Sequence, residues 1–268
     1  MNLRFFDTAL FLYVASFVLW GCSARYRVLG KGAKGCLMLG AIVHLLGMIV
    51  RWWESHRMGF GYPPLANMYE SLVFFSWAVV LFYLIAFMKR YPWGLFGLLT
   101  SFFSALVLFL PIVVGMDRGI RPLVPALQSP WLIIHVITCF LGYASFALGF
   151  LLSLLYLFEL RSTEFVPPAS ALEEGTYKTI LGGFLFLTLG IITGAAWAHY
   201  AWGRYWSWDP KETWSLITWL IYAGWLHARL VRGWKGRRTA VLSVVGFFSV
   251  LFTYFGVNYL LQGLHSYV

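Results

Sequence analysis

The sequence predicts an all-α, polytopic membrane protein with about eight transmembrane helices. Of its 268 residues, 60% are hydrophobic and only 11% are charged, which leaves too few polar groups to cover a soluble domain. Apolar runs of about 17 to 25 residues, the length that crosses about 30 Å of hydrocarbon as a helix, recur eight times along the chain. We expect these helices to form a single domain, residues 1–268.

The expected spans follow one another in chain order. They are Phe5–Cys22, Cys36–Trp53, Leu65–Met88, Gly94–Val114, Pro130–Leu160, Ile180–Trp197, Pro210–Val231 and Thr239–Leu260. The first run lacks a basic n-region and a clear cleavage site, so we expect a retained helix rather than a cleaved signal peptide. The sixth span is rich in glycine and threonine, which suits close helix packing in lipid.

The formal net charge of +10 invites a nucleic-acid interpretation, but basic residues beside spanning helices more often set membrane topology. If the N-terminus lies outside, thirteen of the 20 Lys and Arg residues lie in inner loops or at adjacent helix ends, and seven lie outside. We therefore expect the N- and C-termini on the extracytoplasmic side, contact with membrane lipid, and no nucleic-acid partner.

The three cysteines, Cys22, Cys36 and Cys139, lie in or at the ends of the expected spans, and no two form a Cys-x-x-Cys pair. This spacing argues against a disulfide framework or a dithiol redox centre in the chain. We expect all three to be small buried side chains.

Polar residues mark the start of the third span. Pro63 and Pro64 are expected to begin this helix, and Asn67 and Glu70 follow one turn apart just inside the membrane. Unpaired polar groups are costly at that depth, so we expect these two side chains to hold the base of the outer loops together.

The tryptophan-rich segment, residues 202–214, reads Trp-Gly-Arg-Tyr-Trp-Ser-Trp-Asp-Pro-Lys-Glu-Thr-Trp. Asp209 suits an N-cap, Pro210 the first helical position and Glu212 the third, so a capped helix should begin at Pro210. An ordinary aromatic belt at the bilayer boundary is the alternative, but it does not explain this density of tryptophan beside paired charges. We expect an extracytoplasmic binding loop at about residues 197–214.

The expected topology groups four histidines into two pairs. His135 and His265 would lie at the outer surface, while His44 and His227 would lie in the inner half of the membrane. Small residues share a helix face with His44 and with His227, which predicts room beside each ring. An ionisable residue at that depth suggests function, and a histidine hydrogen-bonded to a neighbouring helix is an equal alternative for His44.

Paired neutral imidazoles suit zinc, copper or haem iron. Zinc or copper would need further Cys, His or carboxylate ligands, and neither pair has an obvious set. Haem needs two axial ligands, a broad aromatic surface and cations for its propionates. The outer pair has such surroundings, namely Trp202, Trp206, Trp208 and Trp214 as surface, and Arg204, Lys211 and Arg118 or Arg121 as cations. Interfacial histidines with ordinary hydrogen bonds are the alternative.

The segment at 202–214, read as Trp-Gly-x-Tyr-Trp-x-Trp-Asp-Pro-Lys-Glu-Thr-Trp, resembles the WWD signature of the CcsA/ResC family of System II cytochrome c biogenesis. Residues 64–72, 131–143 and 256–267 also resemble segments of this family. The resemblance implies that the chain binds haem b and presents it for attachment to the Cys-x-x-Cys-His motif of apocytochrome c. The haem-iron ligands that it implies are His135 and His265 outside and His227 and, by position, His44 inside, with Asp209 and the aromatic and basic residues of the segment in contact with haem.

The resemblance also implies partners and a location. The partners are a CcsB/ResB-type membrane subunit, apocytochrome c and a thiol-reducing protein of the pathway. The location is the bacterial inner membrane, of which the plastid thylakoid membrane is the organellar equivalent. The chain departs from the family at His199-Tyr200, where Asn-Glu is common, so His199 is an alternative ligand or a tolerated substitution.

With a CcsB/ResB-type partner, the chain would be the haem-handling subunit of a cytochrome c synthetase, or haem lyase. No acid-base catalytic residue is expected, because thioether formation at a vinyl group needs reduced iron, reduced thiols and positioning. Two other interpretations stay open: a haem transporter without attachment activity, and a structural membrane scaffold.

Overall fold

The computed structural model describes residues 1–88 and 94–261, and these ranges are helical without β-strands, which confirms the all-α fold class. The long helices are α1 Asn2–Ser23, α2 Leu29–Arg57, α3 Met68–Ala86, α4 Gly94–Val113, α5 Pro130–Leu157, α6 Ala169–Trp202, α7 Pro210–Leu230 and α8 Arg237–Leu251. A 3-10 turn at Pro125–Leu127 precedes α5. A π-helical turn at Phe252–Gly256 joins α8 to the short α9 at Val257–Leu260.

Within the described ranges, seven helical stretches are long and apolar enough to cross a membrane: α1 to α6, and the continuous stretch Arg237–Leu260. The remaining expected span, α7, has 21 residues and a length of about 31 Å at about 1.5 Å per residue. Its tryptophans, its tyrosine and the charges in its first turn keep it outside that group of seven. The chain is therefore a multi-pass membrane protein, and α7 begins inside the tryptophan-rich segment.

Five of the long helices, namely α1, α2, α3, α6 and α8, begin at residues other than those expected, and α2 begins at Leu29 instead of Cys36. Helix α3 begins at Met68, after the prolines, because the Asn67 side chain is the N-cap and accepts a hydrogen bond of 2.8 Å from the Glu70 backbone N–H. Helix α6 begins at Ala169, well before the expected Ile180, because its polar first turns extend the helix beyond the apolar run.

Contacts divide the chain into two compact units. Unit 1 comprises Met1–Leu123 and Leu160–Pro168, and unit 2 comprises Val124–Glu159 and Ala169–Val268. In unit 1, α1 packs along α2 and α4, and α3 packs against α4 and α2. In unit 2, α5 packs along α6 and α8, and α7 packs against α6 and α8. The expectation of a single domain stays a prediction.

Glycines set the close approach of helices inside each unit. In unit 1, a Cβ on Gly40 would lie 2.7 Å from the ring of Tyr13, so this part of α2 has space only for a hydrogen. In unit 2, a Cβ on Gly183 would lie 2.7 Å from Phe146, and the same replacement at α6 residue Gly190 would meet α5. The expected use of small residues for packing in the sixth span is confirmed.

The cysteines differ in burial. Cys139 is buried, but Cys36 is half-buried and Cys22 is exposed, and all three are free thiols. The prediction that all three are buried was therefore wrong for Cys22 and Cys36. Burial depends on which face of a helix meets its neighbours, and a small apolar side chain is also tolerated on a face turned towards lipid.

Candidate functional site

A buried ion pair joins the end of α2 to the start of α3 in unit 1. Arg51 Nε donates to Glu70 Oε1 at 2.8 Å, and both side chains are at most 2% exposed. The guanidinium also donates to the carbonyls of Arg118 at 3.0 Å and Gly119 at 2.9 Å, while Glu70 Oε2 accepts the Ala66 N–H at 2.9 Å. The expected role of Glu70 is confirmed, and Arg51 is the residue that sequence reasoning missed.

The two loop arginines of unit 1 that were candidate propionate partners already have carboxylate partners. A nitrogen of Arg118 lies 3.2 Å from Asp7 Oδ1, and Arg121 Nε lies 2.6 Å from Asp117 Oδ2. A hydrogen bond from the Gly119 N–H, and then the charge of Arg121, hold the pKa of Asp117 below its usual range. A propionate would have to displace one of these pairs.

His44 lies in the closed interior of unit 1 and is fully buried. Its Nδ1 lies 3.1 Å from the Tyr13 hydroxyl, and Phe6 meets its ring edge-on with the centroids 5.6 Å apart. The room expected beside this ring is filled, because Tyr13 and Phe6 of α1 occupy the positions over Gly40 and Gly47. Among the described residues no geometric hydrogen bond reaches Nε2, the other ring nitrogen, and the ring is enclosed by its neighbours.

His227 lies on an exposed face of α7 in unit 2. Leu220 on this face is 54% exposed, and a Cβ on Gly224 would meet nothing within 4 Å. The expected space beside His227 is therefore present. His44 and His227 belong to different units, and their pairing around an inner haem stays a prediction.

His135 is held in a defined orientation between α5 and α6. Its Nδ1 lies 2.7 Å from the Gly190 carbonyl oxygen, and the ring stacks near Trp197 with an interplanar angle of 18°. A carbonyl only accepts hydrogen bonds, so Nδ1 carries the proton and Nε2 of the neutral ring holds the lone pair that a metal ion would need. The Cys139 sulfur lies 3.6 Å from Nδ1, on the same side of the ring as the carbonyl.

The Trp197 ring lies between His135 and Trp202, the first residue of the tryptophan-rich segment. Trp197 donates from Nε1 to the Ala126 carbonyl at 2.9 Å, and its ring centroid lies 4.8 Å from that of Trp202. Gly194 makes this arrangement possible, because a Cβ there would lie 2.6 Å from His135 Nδ1. The histidine and the first tryptophan of the segment are thus placed by one face of α6.

The expected capping box at the start of α7 is confirmed. Asp209 Oδ1 accepts the Lys211 N–H at 2.9 Å, and Glu212 Oε2 accepts the Asp209 N–H at 3.2 Å. Glu212 also accepts the Ser207 N–H at 2.7 Å. Both carboxylates are buried and are used to shape the end of the segment, so Asp209 acts first as a cap.

The irregular part of the segment covers residues 203–209 and presents its aromatic side chains outward. Gly203 and Trp208 have positive φ values of 75° and 59°, which reverse the chain between α6 and α7. Trp206 and Trp208 pack edge to face at 5.8 Å, and Trp208 is 69% exposed. Arg204 is exposed beside them, so this surface offers aromatic faces and a cation.

The last tryptophan of the segment packs inward. Trp214 lies 4.2 Å from Phe252, measured between ring centroids, and its carbonyl accepts a hydrogen bond of 3.2 Å from Thr253 Oγ1. The Thr218 hydroxyl lies 2.9 Å from the same Thr253 oxygen. These contacts attach the π-helical turn to α7.

His199 and His265 are the two remaining candidate ligands. His199 is exposed and stacks on Tyr205 with the ring centroids 4.3 Å apart. His265 lies outside the described residues. Of the expected outer pair, the structure therefore describes His135. Within the described ranges, no three His, Cys, Asp or Glu side chains cluster as they would around a metal ion.

Comparisons with known proteins agree with this architecture. Residues 65–265 match the family described as cytochrome C assembly protein. The cytochrome c biogenesis protein CcsA of Mesostigma viride is 41% identical in an alignment that covers 88% of this chain and 85% of that protein. A CcsA from Synechococcus is 39% identical, with 99% of this chain and 95% of that protein covered.

A solved structure has a similar fold. It is the cytochrome c heme lyase CcmF, with a TM-score of 0.71 over 95% of this chain and a sequence identity of 17%. This chain spans 46% of that lyase. At this identity, the likeness is evidence for the fold alone.

Proposed function

Because this chain belongs to the CcsA family of cytochrome c assembly proteins, we propose that it binds haem b in the membrane and presents it for covalent attachment to apocytochrome c. Family membership gives it a role in cytochrome c maturation. The proposal concerns how it acts there: as the haem-handling subunit of a synthetase, with both termini and the tryptophan-rich segment on the extracytoplasmic side of the bacterial inner membrane or the thylakoid membrane.

The observation that carries the proposal is the hydrogen bond from His135 Nδ1 to the Gly190 carbonyl. It selects the tautomer and the ring orientation that an axial ligand needs, as second-shell carbonyls do for metal-binding histidines. The ring is next to Trp197, which continues to Trp202 and the aromatic segment. We assign His135 and His265 as the two axial ligands of an outer haem.

The residues that would contact the haem itself are those with exposed faces. Trp206 and Trp208 offer an aromatic surface, and Arg204 offers a charge for a propionate. Lys211, half-buried in the first turn of α7, is a second candidate cation for a propionate. Trp214 and Asp209 would support the haem site indirectly, because their contacts stabilise the start of α7.

The chemistry asked of these residues is positioning. The thiol S–H adds across a haem vinyl group, so that sulfur bonds to one carbon and the hydrogen goes to the other, with no net oxidation. A second protein of the pathway keeps the cysteines reduced. Haem held by two histidines has no open axial position, so one ligand must yield to the histidine of the Cys-x-x-Cys-His motif.

We also propose that His227 binds haem in the inner half of the membrane, with His44 as the candidate for the other ligand that the family resemblance implies. The exposed face of α7 around Gly224 supports the part of His227. A CcsB/ResB-type subunit is the proposed partner, and the exposed His227 face is where it or haem would contact unit 2.

The test is a purification of the chain with a CcsB/ResB-type partner and a reporter apocytochrome. His135→Gly should lose covalent attachment, and added imidazole should restore it by filling the vacated position. His56→Gly is the matched control, because His56 is exposed and its Nδ1 lies 3.0 Å from the Trp52 carbonyl oxygen of its own helix. If His135→Gly attaches haem at the wild-type level, His135 is not a ligand of the outer haem.

The same preparation separates the other two functions. A haem transporter would show abundant bound haem and no covalent product with the partner present. A scaffold would show no haem absorption band at all.

A further inference from the structure

A polar cavity lies in unit 1 where α1 ends and where α2 and α4 begin. Its volume is about 340 Å³, inside the range of about 300 to 1,000 Å³ for sites that bind small ligands. Trp20 and Ser23 of α1 form one wall, and Gly30 of α2 brings the helix start close to the Trp20 ring, since a Cβ there would lie 3.4 Å from it. The cavity therefore lies at the ends of three helices that are long and apolar enough to cross a membrane.

The loop Leu160–Pro168 closes this cavity as a fixed wall. The Leu95 N–H donates to the Phe165 carbonyl at 3.0 Å, and a Cβ on Gly94 would overlap the Phe165 ring. Thr163 Oγ1 accepts backbone N–H groups from Phe165 at 3.1 Å and from Val166 at 3.0 Å. The loop is thus attached to α4 and braced internally.

The charges around the cavity do not balance. Arg27, Lys31, Lys34 and Glu164 line it, and Arg27 pairs with Glu164 at 2.5 Å. Lys31 and Lys34, one turn apart at the start of α2, form no ion pair within residues 1–88 and 94–261. Two positive charges therefore line the cavity without a carboxylate partner among those residues.

We propose that this cavity binds the phosphate headgroup of an anionic phospholipid. Headgroup phosphates lie at the ends of membrane-spanning helices, and basic pockets between such helices bind anionic headgroups. Lys31 and Lys34 contact the phosphate, and Trp20, which is 3% exposed, supports the wall of the cavity from within unit 1. In the orientation proposed above, the lipid comes from the cytoplasmic leaflet.

The experiment measures lipid retained by the purified full chain in native mass spectrometry, after equilibration with phosphatidylglycerol or phosphatidylcholine of the same acyl chains. We expect one phosphatidylglycerol to be retained in preference to phosphatidylcholine. The double variant Lys31→Gln/Lys34→Gln should reduce this retention about 25-fold, since each basic residue near an anionic surface contributes about fivefold.

The matched control is Arg232→Gln/Lys235→Gln, which removes the same charge from exposed positions of unit 2 and should retain phosphatidylglycerol normally. Equal loss in this control would mean general surface attraction and would overturn the proposal.

A second variant, Ala24→Trp, fills the cavity from an exposed lining position and leaves every charge in place. It should reduce retention as strongly as the lysine variant. Normal retention in Ala24→Trp, or displacement of the lipid by inorganic phosphate at equal concentration, would show that the cavity is not a lipid site.

Discussion

Arg51 and Glu70 form an ion pair from which water is excluded, with Nε and Oε1 2.8 Å apart. Because the remaining nitrogens of Arg51 bond the carbonyls of Arg118 and Gly119, the pair also fixes the loop that follows α4. Breaking a buried pair costs more than losing its attraction, since the remaining charge stays buried and unpaired.

Arg51→Met should therefore destabilise the protein by about 3 to 5 kcal/mol, measured as a lower thermal unfolding temperature of the purified protein. The double variant Arg51→Met/Glu70→Met should recover part of this loss, because no charge is left unpaired. Arg57→Met, at an exposed position of α2, should change stability by about 0.5 kcal/mol or less. Equal stability of Arg51→Met and Arg57→Met would contradict the role of the pair.

Gly194→Ala should disturb the outer haem site, because its Cβ would lie 2.6 Å from His135 Nδ1. The ring must then move away from the Gly190 carbonyl, and overpacking of this kind costs about 1 to 3 kcal/mol. We expect less covalent attachment and a changed haem absorption spectrum. Gly182→Ala on the same helix is the control, since a Cβ there meets nothing within 4 Å and should have no effect.

His227→Ala and His44→Ala should affect different quantities. His227 is exposed, so its loss should lower haem content and leave the unfolding temperature unchanged. His44→Ala leaves a cavity and an unpaired Tyr13 hydroxyl, so it should cost about 2 kcal/mol or more in stability as well. Unchanged haem content in His227→Ala would show that His227 is not a ligand of the proposed inner site.

Asp209→Ala should remove the N-cap of α7 and cost about 0.5 to 2 kcal/mol, seen again as a lower unfolding temperature. Asp209→Asn keeps an oxygen that can accept the Lys211 N–H, so it should behave like the wild type in stability. If Asp209→Asn retains stability but loses haem, the carboxylate has a direct role at the haem in addition to capping.

The parts of the fold that could be predicted are those with a local or a bilayer-imposed cause. A chain in hydrocarbon must satisfy its backbone within each span, so the long apolar runs had to be helices. The start of α7 followed from Asp209, Pro210 and Glu212 because a capping box involves neighbours in sequence. The need of Glu70 for a partner followed from the cost of burying it alone.

The identity of Arg51 as the residue that pairs with Glu70 could not be predicted from the sequence. Arg51 stands at the end of a span, where a solvated arginine and a buried one have the same local sequence, and its carboxylate lies 19 residues away. The free space beside each histidine was equally impossible to predict from local sequence. Small residues next to His44 form a groove that the rings of α1 fill, whereas Gly224 next to His227 stays open. Only the packing of other helices distinguishes the two cases.

The π-helical turn at Phe252–Gly256 makes the number of residues in the last helical stretch as consequential as their identity. In it the Val257 N–H bonds to the Phe252 carbonyl, five residues earlier, so the turn holds one residue more than an α-helix would. Removal of one residue from this turn would let it close as an α-helix and leave α9 facing almost the same direction, because the wider turn is what absorbs the extra residue. Removal of one residue from α8 itself would instead rotate the side chains of α9 by about 100° around the helix axis.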